Sequence, residues 1–128
     1  MTISGNTHKV NTLVVEDNAI FRQVFKERLQ NQFPSMAIEE ASEGNEALQK
    51  VDTFHPELIF MDIRLPGQNG FYITKKIMES HPEMVVIILT DYDTPEYRDA
   101  AYRSGAKYFF AKDSFDWRQV DIVIRSHI

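Results

Sequence analysis

Leu58-Ile59-Phe60-Met61-Asp62-Ile63-Arg64-Leu65-Pro66-Gly67 is the stretch on which the reading of this chain turns. Four apolar residues in a row predict a short strand buried on both faces, Asp62 ends it, and Pro66-Gly67 turns the chain away. A carboxylate at the carboxyl end of a buried strand is poorly placed for packing and well placed for chemistry. In open α/β sheets, ligand sites form in the crevice outside those strand ends. Asp62 is therefore the candidate reactive residue.

Outward from this strand the same pattern repeats. Residues 12–15 read as a short buried strand ending in Glu16-Asp17-Asn18. Asp17 or Asn18 can cap a helix reaching about Gln32, with Phe21, Val24, Phe25 and Leu29 on one face. Residues 36–41 alternate like an edge strand. A helix follows over 44–54, with Ala47, Val51 and Phe54 at helical spacing, and His55-Pro56 stops it. Beyond Gly67, Asn69 caps a helix over 70–80 with Ile73 and Ile77 inward. The most apolar strand, 85–89, belongs at the centre of a sheet; it runs into Thr90-Asp91. Pro95 suits the first turn of a fourth helix reaching Arg103, and Gly105 suits its end. Residues 108–111 form a fifth strand ending at Lys112-Asp113, and 117–128 a fifth helix with Trp117, Val120 and Ile124 on one face.

Five strand–helix units predict an α/β fold: a (βα)5, doubly wound parallel sheet covered on both faces, in one domain. The flavodoxin-like strand order 2-1-3-4-5 is the economical arrangement. Residues 1–9 read as a flexible leader and 10–128 as the domain.

Composition narrows the function. There is no cysteine, so disulfides, thiolate catalysis and thiolate metal sites are excluded. No apolar run is long enough to span a bilayer, and the polar start lacks a signal-peptide core, which points to a cytoplasmic protein. The net charge of −5 argues against direct binding of nucleic acid through a basic surface. The histidines, His8, His55, His81 and His127, have no ligand spacing.

The predicted strand ends collect a constellation: Glu16 and Asp17 from the first, Asp62 from the third, Thr90 from the fourth and Lys112 from the fifth. Three clustered carboxylates repel one another unless a cation sits among them. Oxygen-only ligation suits Mg²⁺, which takes one or two carboxylates plus phosphate oxygens and water. Asp62 is then left with an oxygen able to form an aspartyl-phosphate. Such a transfer needs positioning and charge neutralisation above all. Lys112 can neutralise, and the Thr90 hydroxyl can donate a hydrogen bond to a phosphoryl oxygen.

Over residues 10–128 the chain resembles the response-regulator receiver domains of two-component signalling. The resemblance is carried by Leu-Val-Val-Glu16-Asp17-Asn, Phe-Met-Asp62-Ile-Arg-Leu-Pro66-Gly, Ile-Leu-Thr90 and Ser-Gly105-Ala106-Lys-Tyr-Phe109-Phe-Ala-Lys112, all four in order at matching strand ends. The resemblance implies that Asp62 accepts a phosphoryl group from a histidine kinase, and that Glu16, Asp17, Asp62 and the backbone carbonyl of Arg64 hold Mg²⁺. It further implies that Thr90 and Phe109 form a switch, Thr90 moving toward the phosphoryl group and Phe109 rotating inward. The readout face is then the fourth helix, fifth strand and fifth helix. A homodimer of the phosphorylated form is a further expectation.

Two departures from the family pattern stand out. Asp91 replaces the small residue that usually follows the switch hydroxyl, and is expected to slow phosphorylation or narrow the approach of attacking water. Arg64 is expected at the pocket mouth, paired with Asp91. Lys112-Asp113 is similar to receivers attached to a C-terminal output domain of the LuxR helix-turn-helix type, which places any DNA binding and transcription regulation in that output domain.

The main alternative is a degenerate receiver acting as a phosphorylation-independent interaction module. An enzyme of the haloacid-dehalogenase phosphatase type would share the nucleophilic Asp and Mg²⁺, but needs a second acid where Arg64 stands. A flavin or dinucleotide binder would want a phosphate-cradling loop in place of Glu16-Asp17. The expectation is thus a switch rather than an enzyme.

Overall fold

The computed structural model describes residues 9–128; all of the expected leader except Lys9 lies outside the described residues. The elements run β1 (Asn11–Val15), α1 (Ala19–Gln32), β2 (Ala37–Ala41), α2 (Gly44–Phe54), β3 (Leu58–Met61), β4 (Arg64–Leu65), β5 (Gln68–Asn69), α3 (Gly70–Ser80), β6 (Val85–Thr90), α4 (Pro95–Ser104), β7 (Tyr108–Ala111) and α5 (Trp117–Arg125).

β2-β1-β3-β6-β7 form one parallel, five-stranded sheet. This is the expected flavodoxin-like order, with β6 and β7 as the fourth and fifth sheet strands. The one unforeseen element is the two-residue hairpin β4–β5, antiparallel through Arg64↔Asn69 and Leu65↔Gln68. It folds Pro66-Gly67 into its turn and returns the chain to α3.

Strand side chains alternate between the two faces of the sheet, as the pleat requires. Leu13, Val15, Ile59, Met61, Val86 and Ile88 pack with Ala47, Val51, Ile73, Ile77 and Ala101, burying the inner faces of α2, α3 and α4. Val14, Phe60, Ile87 and Leu89 pack on the other face with Phe25 and Leu29 of α1 and Val120, Val123 and Ile124 of α5. Each of the larger side chains among these (Val, Leu, Ile, Phe) contributes about 1.5–3 kcal/mol of burial, as does Met61, so the sheet is held from both sides.

Val24 does not belong to this core: it is 59% exposed, as is its neighbour Ile20 at 79%. The buried stripe of α1 is Phe25 and Leu29, one turn apart, with Phe21 packed at its edge. Val24 lies at the rim of that arc and is turned out. Phe54 is only half-buried.

The helix starts follow local capping chemistry. Asn18 accepts from Phe21 N at 3.0 Å, Asn69 from Phe71 N at 2.7 Å, and Thr94 from Tyr97 N at 3.1 Å. Pro95 occupies the first turn of α4, and Gly105 ends it with φ 106°, a left-handed cap that glycine adopts at little cost.

Candidate functional site

Register brings the site together. Val15 pairs with Met61, so Glu16 and Asp62, the next residues, leave the sheet side by side; Asp62 N donates to Val15 O at 3.0 Å. Thr90 pairs with Ala111, and Lys112 N donates to Thr90 O at 2.8 Å. Four strand ends thus deliver Glu16, Asp62, Thr90 and Lys112 to one crevice. Asp17 follows Glu16 at its exposed rim.

Carboxylate oxygens of Glu16, Asp17 and Asp62 lie within 4.8 Å of one another, which is compatible with a single cation among them. Glu16 and Asp62 are 3% and 7% exposed. Asp62 Oδ1 accepts from Ile63 N at 2.7 Å, and its Oδ2 lies 3.1 Å from Lys112 Nζ. Lys112 also contacts the Glu16 carboxylate directly. Its ammonium sits 4.6 Å from the centroid of the Phe21 ring, a support that sequence reading assigned only to the core.

Burial pushes the Glu16 carboxyl up to about 7, and the Asp62 charge adds to this, against the hydrogen bonds from Lys112 and from Asn18 N. Burial alone would lower the Lys112 ammonium, but its bond to Glu16 and the Asp62 charge outweigh that and hold it above its ordinary value. The two carboxyl groups therefore share one built-in cation.

The crevice opens into a cleft of about 320 Å³ lined by these acids and by Asn18, Arg64, Asp91, Tyr92 and Lys112. Asp91 does face the cleft. Arg64 does not pair with it: the Arg64 guanidinium lies over the Tyr92 ring, 4.0 Å from its centroid. Both Asp91 and Arg64 are exposed, and water solvates their charges well enough that a ring face competes with an ion pair.

Thr90 is fully buried, and its Oγ1 accepts a long 3.5 Å bond from Tyr92 N. Phe109 is 6% exposed and packs against the α2–α4 core. The Arg98 guanidinium covers its ring at 4.7 Å and is held by a bidentate pair to Asp93 at 2.6 and 3.1 Å.

A parallel five-stranded α/β domain with an acidic, lysine-bridged crevice at its strand ends has the architecture of a receiver-type signalling domain. Comparison with known proteins agrees: the response regulator receiver domain family matches residues 12–123. The chain belongs to this family, and so to the response regulators of two-component systems.

It is 35% identical over 112 residues to the oxygen regulatory protein NreC of Staphylococcus carnosus, covering 87% of this chain and 52% of that protein. The corresponding Staphylococcus haemolyticus protein is 36% identical over 115 residues, covering 89% and 52%. The chain thus spans about half the length of the curated relatives it matches. A LuxR-family two-component response regulator from Aurantimonas superposes with a TM-score of 0.83 at 25% identity, covering 93% of this chain and 84% of that one. The signal receiver domain of a DNA-binding response regulator from Colwellia psychrerythraea gives 0.87 at 23% identity, covering 92% and 97%; at that identity it supports the fold alone. Among the described residues no helix is long and apolar enough to cross a membrane.

Proposed function

We propose that this domain is a phosphorylation-switched receiver in which Asp62 takes a phosphoryl group from the phosphohistidine of a sensor kinase. The observation that carries the reading is the position of Asp62: nearly buried at the carboxyl end of β3, fixed by Ile63 N and Lys112, and clustered with Glu16 and Asp17.

An Asp62 carboxylate oxygen attacks phosphorus. The new P–O bond forms as the bond to the donor imidazole breaks, and its electron pair leaves with the nitrogen. The Lys112 ammonium neutralises charge that builds on the phosphoryl oxygens, and Thr90 donates its hydroxyl hydrogen to one of them. The all-oxygen donor set suits Mg²⁺: Glu16, Asp17, Asp62 and the Arg64 backbone carbonyl would hold it. When bound, Mg²⁺ supplies positive charge to the transferring group.

Thr90 moving toward the phosphoryl group draws on the β6–α4 segment, and Phe109 follows inward, altering the α4–β7–α5 surface. The readers of that surface are an output domain of LuxR helix-turn-helix type, a LuxR-family response regulator being among the structural neighbours, or a second copy of the chain. The chain acts in the cytoplasm, and as a switch rather than as an enzyme.

The test is incubation with acetyl phosphate and Mg²⁺, followed by intact mass. One added phosphoryl group, absent from Asp62→Asn and absent with EDTA, supports the reading. No gain in a folded chain would favour a partner-binding module that does not use phosphorylation.

A further inference from the structure

The acidic loop is also held from behind, by a residue of α1. Glu16 N donates to Ala41 O at 2.9 Å, the last rung between β1 and β2. Past that rung the ladder has no backbone donor for the Glu16 carbonyl from β2. Arg22 supplies one: its Nη1 donates to Glu16 O at 2.6 Å. The same guanidinium donates through Nε to Glu40 Oε1 at 3.0 Å, one residue before Ala41 on β2. Lys26, one turn further along α1, holds the other oxygen of Glu40 at 3.0 Å.

The Arg22 side chain is only 19% exposed. An ordinary surface ion pair would end at Glu40 and contribute little. This one spans from the edge strand to the main chain of the first acidic residue. The planar guanidinium makes the two bonds from two different nitrogens held in a fixed fork, a geometry that the single nitrogen of a lysine does not reproduce. Groups that orient metal-ligating residues from behind typically change metal affinity about 10- to 100-fold when removed.

We infer that Arg22 is a positioning residue of the acidic site: braced by Glu40, it fixes the Glu16 carbonyl and so sets where the Glu16 and Asp17 carboxylates stand. The inference rests on the proposed metal-binding role of those carboxylates.

Charge and geometry predict opposite signs here. Arg22 is a cation near a cation site, so deleting it should by charge alone tighten Mg²⁺ binding. If it positions the loop, deleting it weakens binding.

Mg²⁺ affinity of the metal-free chain is measured by calorimetry for wild type, Arg22→Ala, Arg22→Lys and Lys26→Ala, with thermal unfolding in EDTA recording that each is folded. The expected result is about tenfold weaker binding for Arg22→Ala, a smaller loss for the charge-preserving Arg22→Lys, and no loss for Lys26→Ala. Arg22→Ala binding as tightly as wild type, or more tightly, overturns the positioning role while leaving the proposed function standing. A loss in Lys26→Ala equal to that in Arg22→Ala also overturns it. A wild-type chain that binds no Mg²⁺ overturns both.

Discussion

Lys112 Nζ stands 3.1 Å from Asp62 Oδ2 while also contacting Glu16, so one ammonium just past the end of β7 bridges the acids just past the ends of β3 and β1. Its side chain is 8% exposed. Breaking a buried pair by removing one partner leaves charge uncompensated, which costs far more than the net worth of the pair.

Lys112→Ala is accordingly expected to destabilise the metal-free chain by about 2–4 kcal/mol, the lower end applying because Glu16 can take up a proton. It should also bind Mg²⁺ more tightly, since a competing cation is gone, and take up phosphoryl more slowly, since a neutralising charge is gone. Urea unfolding in EDTA, a Mg²⁺ titration and acetyl phosphate kinetics check the three parts. Unchanged stability would mean that the lysine is not the cation the acids depend on.

Asp91 faces the same cleft across solvent and is not paired with Arg64. A like charge at an open mouth opposes an incoming anion by roughly 0.5–1 kcal/mol. Asp91→Ala should speed phosphoryl uptake from acetyl phosphate about two- to fivefold, and the gain should shrink as salt is added. Equal rates at low ionic strength would leave Asp91 without influence on the reaction.

Gly70 stands where α3 begins and passes close to the reactive loop. A Cβ built there would lie 2.0 Å from Asp62 O and 2.9 Å from Ile63 Cα, both main-chain atoms that cannot swing aside. Gly70 N also donates to Ile63 O at 2.6 Å. Gly70→Ala should therefore shift the Asp62 backbone, lowering stability by about 1–3 kcal/mol and phosphoryl uptake more than tenfold. A variant with wild-type uptake would show that the loop tolerates the displacement.

The acid limb of stability should report on Glu40 and Glu46. Burial tends to raise the Glu40 carboxyl, but its bonds to Lys26 and Arg22 outweigh that and hold it below the ordinary value. Glu46 is lowered chiefly by accepting from Ser42 N, at 2.7 Å. A carboxyl depressed in the folded state binds fewer protons there than when unfolded. Its stabilisation is present above the unfolded pKa near 4.5 and is lost as pH falls through the folded value. Between pH 5 and pH 3 the melting temperature should fall less steeply in Glu40→Gln and Glu46→Gln than in wild type. Parallel profiles would contradict the assignment.

The fold was legible because the inner strands are short and mainly apolar, the edge strand β2 alternates and the helices are amphipathic, and because each inner strand stops at a polar residue. The site was legible for the same reason, since parallel register carries those stops to one edge. The β4–β5 hairpin was not legible: two-residue strands have no periodicity to read. Val24 was misplaced because an apolar residue at the rim of a helical stripe has the same spacing signal as one inside it. Arg64 over Tyr92 and Arg22 on Glu16 O were also hidden, one bond going to a ring face and the other to a carbonyl. Neither partner has a charge that the sequence would advertise.

The measurement that bears most directly on the account is the site of phosphoryl attachment. After incubation with acetyl phosphate and Mg²⁺, an acyl phosphate is reduced by borohydride, and the modified residue is located by peptide mass spectrometry. Reduction is expected at Asp62, and is expected to be absent without Mg²⁺. Modification at another carboxylate, or uptake undiminished in Asp62→Asn, would contradict it.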